Sequence, residues 1–139
     1  MYKSTLRLVC IVFVFGITGC SPQREVKNID LTDLTIADIH KAYQDGRYNC
    51  EQLVSAYLIR VEQADNKLNA ITTINKNAFR VAKGLDEEYK KTGMFRPLHG
   101  IPMIVKDNFN TKGLPTTAGA LALQDFIPEE DAFEWRKEL

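Results

Sequence analysis

The sequence predicts an α/β fold that is present only in part. Hydrophobic periodicity switches from helical to strand-like and back along the chain, giving the order helix, helix, strand, helix, strand, loop and helix start. The helices carry apolar faces that call for more sheet than two or three short strands supply. The 139 residues also close on Lys137-Glu138-Leu139 in mid-helix, with no C-cap signal. Together these features predict the first part of a larger domain.

Residues 1–19 read as a signal peptide. Lys3 and Arg7 form a basic start, and Leu8–Ile17 is a nearly unbroken apolar run. About ten residues suit the core of a signal peptide and are too few for a membrane-spanning helix. Ile17-Thr18-Gly19 then precede Cys20. Small residues before a cysteine resemble the bacterial lipobox, so Cys20 is expected to be lipidated and to become the new N-terminus. Ser21, not Asp, follows it. In a Gram-negative host that resembles sorting to the outer membrane. Residues 20–34 are polar and unpatterned, as expected of a tether between lipid and fold.

The globular part, residues 35–139, begins with a capping pattern. Thr35 can cap a helix and Asp38 can close the box three residues later. Ile36, Ile39 and Tyr43 share one face of that helix, and Gly46 ends it. Asn49 and Gln52 repeat the pattern for a second helix, whose stripe is Leu53, Tyr57, Val61 and Ala64. Asn66 is its expected stop. Ala70–Ile74 is short and β-branched, and predicts a strand. Asn75 is placed to cap a third helix with Ala78, Phe79, Ala82, Leu85 and Tyr89 inward. Asp86, Glu87, Glu88, Lys90 and Lys91 form its solvated face, and Gly93 suits its C-terminal end. Ile101–Val105 is a second apolar strand, residues 110–119 are rich in turns, and a last helix starts at 132–139.

Charge and cysteine content narrow the function. Without Lys3 and Arg7 the 18 basic residues fall to 16 against 18 acidic ones, a net charge of −2. That gives no electrostatic reason to expect a nucleic-acid partner. With Cys10 removed and Cys20 lipidated, Cys50 stands alone and forms no internal disulfide. It is expected to be a small apolar packer.

The candidate chemistry lies in Pro97–Asn108, whose apolar strand runs into Lys106. An ammonium group at the end of a buried strand is costly to desolvate, and burial would free its amine to act as a base. Alternation along the strand places Lys106 on the opposite side from Asp107. Gly100 suggests a close backbone approach or a positive φ. A lysine base needs a hydroxyl nucleophile. The three serines, Ser4, Ser21 and Ser55, lie in the signal peptide, the tether and a helix. Thr116 and Thr117 lack a second base.

PLHGIPMIVKDNFNTKGLPTTAGALAL, spanning residues 97–123, resembles the N-terminal block of the amidase signature family. The helical stretch 35–92, with its NCEQLVSAY run, also resembles that family's lead-in. The resemblance implies a mixed central sheet covered by helices, and hydrolysis of carboxamides by a Ser–cis-Ser–Lys triad without metal or cofactor. Lys106 matches the family's lysine, which bonds the bridging serine. Backbone N–H groups of a Gly/Ser-rich loop would hold the oxyanion. His99 has no role in that chemistry and is expected to pack. Asp107 and Asn108 are expected to shape the site through hydrogen bonds. The implied substrate is a small-molecule or peptide amide.

The departures from the pattern are equally specific. The Gly/Ser-rich signature carrying both serines is absent from these residues, and Ala120 stands where many members have serine. The chain is therefore expected to be inactive alone. The alternative is a non-catalytic, membrane-anchored lipoprotein fragment. Nothing in the residues sets the oligomeric state.

Overall fold

The structure, a computed structural model, describes residues 28–133. The expected signal peptide, Cys20 and nearly all of the 132–139 helix lie outside them. Three helices, α1 (Ile36–Gln44), α2 (Cys50–Leu68) and α3 (Ala78–Thr92), precede an irregular segment with one short turn of 3₁₀ helix at Leu121–Leu123.

Both predicted capping boxes form. The Asp38 N–H donates to Thr35 Oγ1 at 3.1 Å, and the Thr35 N–H donates to the Asp38 carboxylate at 3.1 Å. Asn49 and Gln52 do the same for α2, at 2.8 and 3.1 Å. α1 ends in a Schellman turn, in which Gly46 at φ +65° lets the Arg47 N–H reach the Ala42 carbonyl at 2.9 Å. Gly93 closes α3 at φ +67°.

Some boundaries differ from expectation. α2 runs past Asn66 and stops at Asn69, in the left-handed conformation at φ +54°. Asp65 supports this end by accepting the Ala70 and Ile71 N–H groups at 2.8 and 3.2 Å. Asn75 makes a turn onto the Asn77 N–H at 2.9 Å and does not cap α3, whose cap residue Asn77 makes no side-chain cap bond.

The two predicted strands are absent from the described residues. Residues 70–74 and 101–105 have the composition of strands, but no segment among the described residues pairs with them. β-propensity is mostly packing against cross-strand neighbours, so an unpartnered segment stays irregular.

The core is small. Ile39, Ala42, Tyr43, Tyr48, Cys50, Leu53 and Ala82 are buried together, where α2 and α3 pack on each other and α1 contributes Ile39, Ala42 and Tyr43. Ile36 is 44% exposed and lies off this core. Ile29, Leu31 and Leu34 pack against it, so the described part of the stretch read as a tether lies on the fold. Phe95 is the aromatic hub. It stacks on Tyr89 at 4.0 Å and on His40 at 4.9 Å between ring centroids.

α2 is also capped from outside its own sequence. Asp86, expected on the solvated face of α3, accepts the Cys50 N–H at 2.9 Å and the Glu51 N–H at 3.2 Å. With Asn49 and Gln52, three side chains satisfy the N–H groups that a helix N-terminus leaves without partners. The Asp86 carboxylate also sits at the positive end of the helix dipole.

Candidate functional site: the turn that carries Lys106

The Pro97–Gly100 turn anchors the candidate site to the helices. The Tyr43 hydroxyl donates to the Gly100 carbonyl at 2.7 Å, and His40 Nε2 donates to the His99 carbonyl at 3.0 Å. His99 is 2% exposed, and its Nε2 donates to the Leu85 carbonyl at 3.0 Å. Its place is structural, as expected. Gly100 meets both sequence expectations. It has φ +70°, and a Cβ there would lie 2.4 Å from Cys50 Sγ. Cys50 is 2% exposed, and burial, followed by the neighbouring Asp86, pushes its thiol up to about 12. It is a packing residue.

Ile101 still packs against the core, and beyond it the chain turns outward. Ile104 is 81% exposed, and Lys106 is exposed as well. The expectation of a desolvated lysine at the end of a buried strand is therefore corrected. Met103, Ile104 and Lys106 are exposed, while Ile101, Pro102 and Val105 are half-buried. The Lys106 ammonium has no hydrogen-bond or ion-pair partner among them.

Its neighbour Asp107 is heavily engaged. The Asp107 carboxylate accepts the Thr117 N–H at 2.7 Å and the Thr117 hydroxyl in a short bond. The Asp107 carbonyl accepts the Ala118 N–H at 2.8 Å. Thr117 Oγ1 in turn accepts the Gly119 N–H at 3.1 Å. Ala118 and Gly119 are both left-handed, at φ +48° and +72°, which folds the TTAG turn back on Asp107. The bonds from Thr117 hold the Asp107 carboxyl below its ordinary range. Asn108 is exposed and makes no hydrogen bond among the described residues.

The TTAG turn is fixed from its other side too. The Thr116 N–H donates to the Phe126 carbonyl at 3.0 Å, and the Gly113 N–H to the Pro128 carbonyl at 3.2 Å. The Lys112 N–H donates to Asp131 at 2.7 Å. Thr116 is 6% exposed. The structure thus joins VKDN to TTAG through one aspartate–threonine pair. Sequence reasoning gave Asp107 a shaping role and did not find its partner. The two residues are ten apart, and no local pattern links an aspartate to a threonine at that distance.

A model of the Amidase family matches residues 52–137. The chain belongs to the amidase family. A glutamyl-tRNA(Gln) amidotransferase subunit from Exiguobacterium sibiricum is 37% identical over 97 residues, covering 70% of this chain and 20% of that protein. Among solved structures, the native peptide amidase of Stenotrophomonas maltophilia superposes with a TM-score of 0.70 at 35% identity. That match covers 76% of this chain and 22% of the peptide amidase. An amidase family protein of Bacillus anthracis gives a TM-score of 0.66 at 34% identity, over 76% of this chain and 23% of its own. The chain spans about a fifth of the length of the relatives it matches.

Within this amidase segment, no cluster of three or more His, Cys, Asp or Glu among the described residues is placed to hold a metal. A cleft of about 340 Å³ is lined by Ile29, Asp30, Leu34, Arg47 and Tyr48, among others, and includes no residue of the 97–119 stretch. No helix among the described residues is long and apolar enough to cross a membrane.

Proposed function

We propose that this chain is the lysine-bearing segment of an exported, lipid-anchored amidase that cleaves carboxamides by a Ser–cis-Ser–Lys mechanism. The observation that carries the reading is the family match over residues 52–137, which contains the VKDN and TTAG runs. In this reading Lys106 is the base. It takes a proton from the bridging serine, which takes one from the nucleophilic serine as that serine attacks the amide carbon. Neither serine is Ser4, Ser21 or Ser55, so both lie in residues that this sequence does not include.

Peptide amides are the first substrates to try, because a structural neighbour is a peptide amidase. The lipobox-like run ending at Cys20 favours an exported enzyme over the tRNA-linked role that the name of the glutamyl-tRNA(Gln) amidotransferase relative carries. Lys106→Ala in the complete protein is expected to lower amide hydrolysis by about a hundred- to ten-thousand-fold, measured as ammonia release. Undiminished turnover would remove Lys106 from the mechanism. Cys20→Ser is expected to move the protein from the membrane fraction to the soluble one, and an unchanged distribution would rule out lipidation at Cys20.

A further inference from the structure

Lys106 combines an exposed side chain with a fixed backbone. Its own carbonyl accepts the Phe109 N–H at 3.0 Å. The next residue is fastened to the TTAG turn through both its carboxylate and its carbonyl. A lysine carries a long, flexible stem, so its amine serves as a base only if its starting point is held. The sequence suggests that a strand holds it. Among the described residues, hydrogen bonds do so instead.

We propose that Asp107 and Thr117 form a clamp that positions Lys106. The proposal rests on the reading of Lys106 as the base. The clamp acts in two ways. It fixes the Lys106 backbone by tying the adjacent residue to a turn that is itself held by Phe126 and Pro128. It also commits the Asp107 carboxylate to Thr117. A free carboxylate one residue from Lys106 would favour the protonated ammonium and blunt the base. Thr117 supplies two donors to that carboxylate, one to each oxygen. Asp107 and Thr117 touch no reacting atom in this scheme; both are positioning residues.

The test uses the complete amidase carrying this segment, with an N-acetyl dipeptide amide as probe and ammonia release as readout. Thr117→Val removes the hydroxyl at nearly constant shape, and Asp107→Asn removes the charge. Both are expected to lower kcat by about 10- to 100-fold while KM stays within about threefold. Thr117→Val should also move the acidic limb of the kcat/KM profile to higher pH, because it takes the hydroxyl donor from one Asp107 carboxylate oxygen and leaves only the Thr117 N–H. Asp107→Asn should not. Thr117→Ser should restore both kcat and the limb. If Lys106→Ala is inactive but both clamp variants keep wild-type kcat and pH profile, the clamp is wrong and the base reading stands. If Lys106→Ala is active, both fall. Amide hydrogen exchange on the same proteins is read independently of turnover. Faster exchange at Phe109 and Ala118 in Thr117→Val, with α1–α3 unchanged, supports the clamp. Unchanged exchange at Phe109 overturns it.

Discussion

Replacing Gly100 by alanine is expected to destabilise the protein by about 3–5 kcal/mol, among the largest effects of any single substitution in this chain. Two costs add. The backbone there has φ +70°, where a side chain costs roughly 1–2 kcal/mol. The new Cβ would also lie 2.4 Å from Cys50 Sγ and 3.1 Å from Tyr43 Cε2. Neither neighbour can move away cheaply. Cys50 is 2% exposed, and the Tyr43 hydroxyl is bonded to the Gly100 carbonyl at 2.7 Å. Gly113→Ala is the control. That residue has φ +75° with nothing within 4 Å of the added Cβ, so it should lose only the conformational share, about 1 kcal/mol. Cys50→Ala in the Gly100→Ala background should recover about 1–2 kcal/mol of coupling in a double-mutant cycle, because it deletes the clashing sulfur. Urea unfolding of the wild type, the three single variants and the double variant measures all of this. Additive effects of the two substitutions would show that the Cys50 contact is not the cause.

The features legible in the sequence are those whose cause is local. Thr35 with Asp38 and Asn49 with Gln52 are capping boxes because each pair is three residues apart. Gly46, Gly93 and Gly100 announce left-handed backbone by their identity, and all three adopt it. The failures share one physical origin: the partner lies far along the chain. Residues 70–74 and 101–105 have strand composition, but a strand is completed by its neighbours, and none is present among the described residues. Asp86 looks like one charge in a solvated run, yet it caps a helix that begins 36 residues earlier. In the candidate site, Lys106 is legible through its family resemblance. The Asp107–Thr117 pair that holds its neighbour is not, because hydrogen bonding between turns leaves no periodic trace. Asn66 failed for a different reason. An asparagine can end a helix, but Asn69 takes the left-handed position while Asp65 meets the amides just beyond it.

Asp86→Ala is expected to cost about 2–4 kcal/mol and to make Cys50 more reactive. The stability loss follows from two backbone N–H groups, Cys50 and Glu51, that lose a carboxylate acceptor at a helix N-terminus. Hydrogen bonds to charged groups contribute about 1.5–3 kcal/mol each, and partial replacement by water lowers the total. Asp86→Asn keeps one acceptor oxygen and gives up the interaction with the helix dipole, so it should fall between wild type and alanine. The thiol reports the same change separately. Burial is the main reason the Cys50 thiol stands at about 12 against an ordinary 9.0, and Asp86 is the next. Removing Asp86 therefore lowers the thiol's pKa and opens its surroundings, and both changes speed alkylation by iodoacetamide at pH 8. The wild-type protein should also lose stability in alkali. A thiol with its pKa raised on folding binds more protons folded than unfolded between pH 9 and about 12, so stability is fully present below pH 9 and falls as pH rises through that window. Tyr43, whose hydroxyl is pushed upward chiefly by burial, adds to the same slope. Cys50→Ala should flatten the part of the slope that begins near pH 9, and an equally steep alkaline loss in that variant would exclude Cys50 as its source.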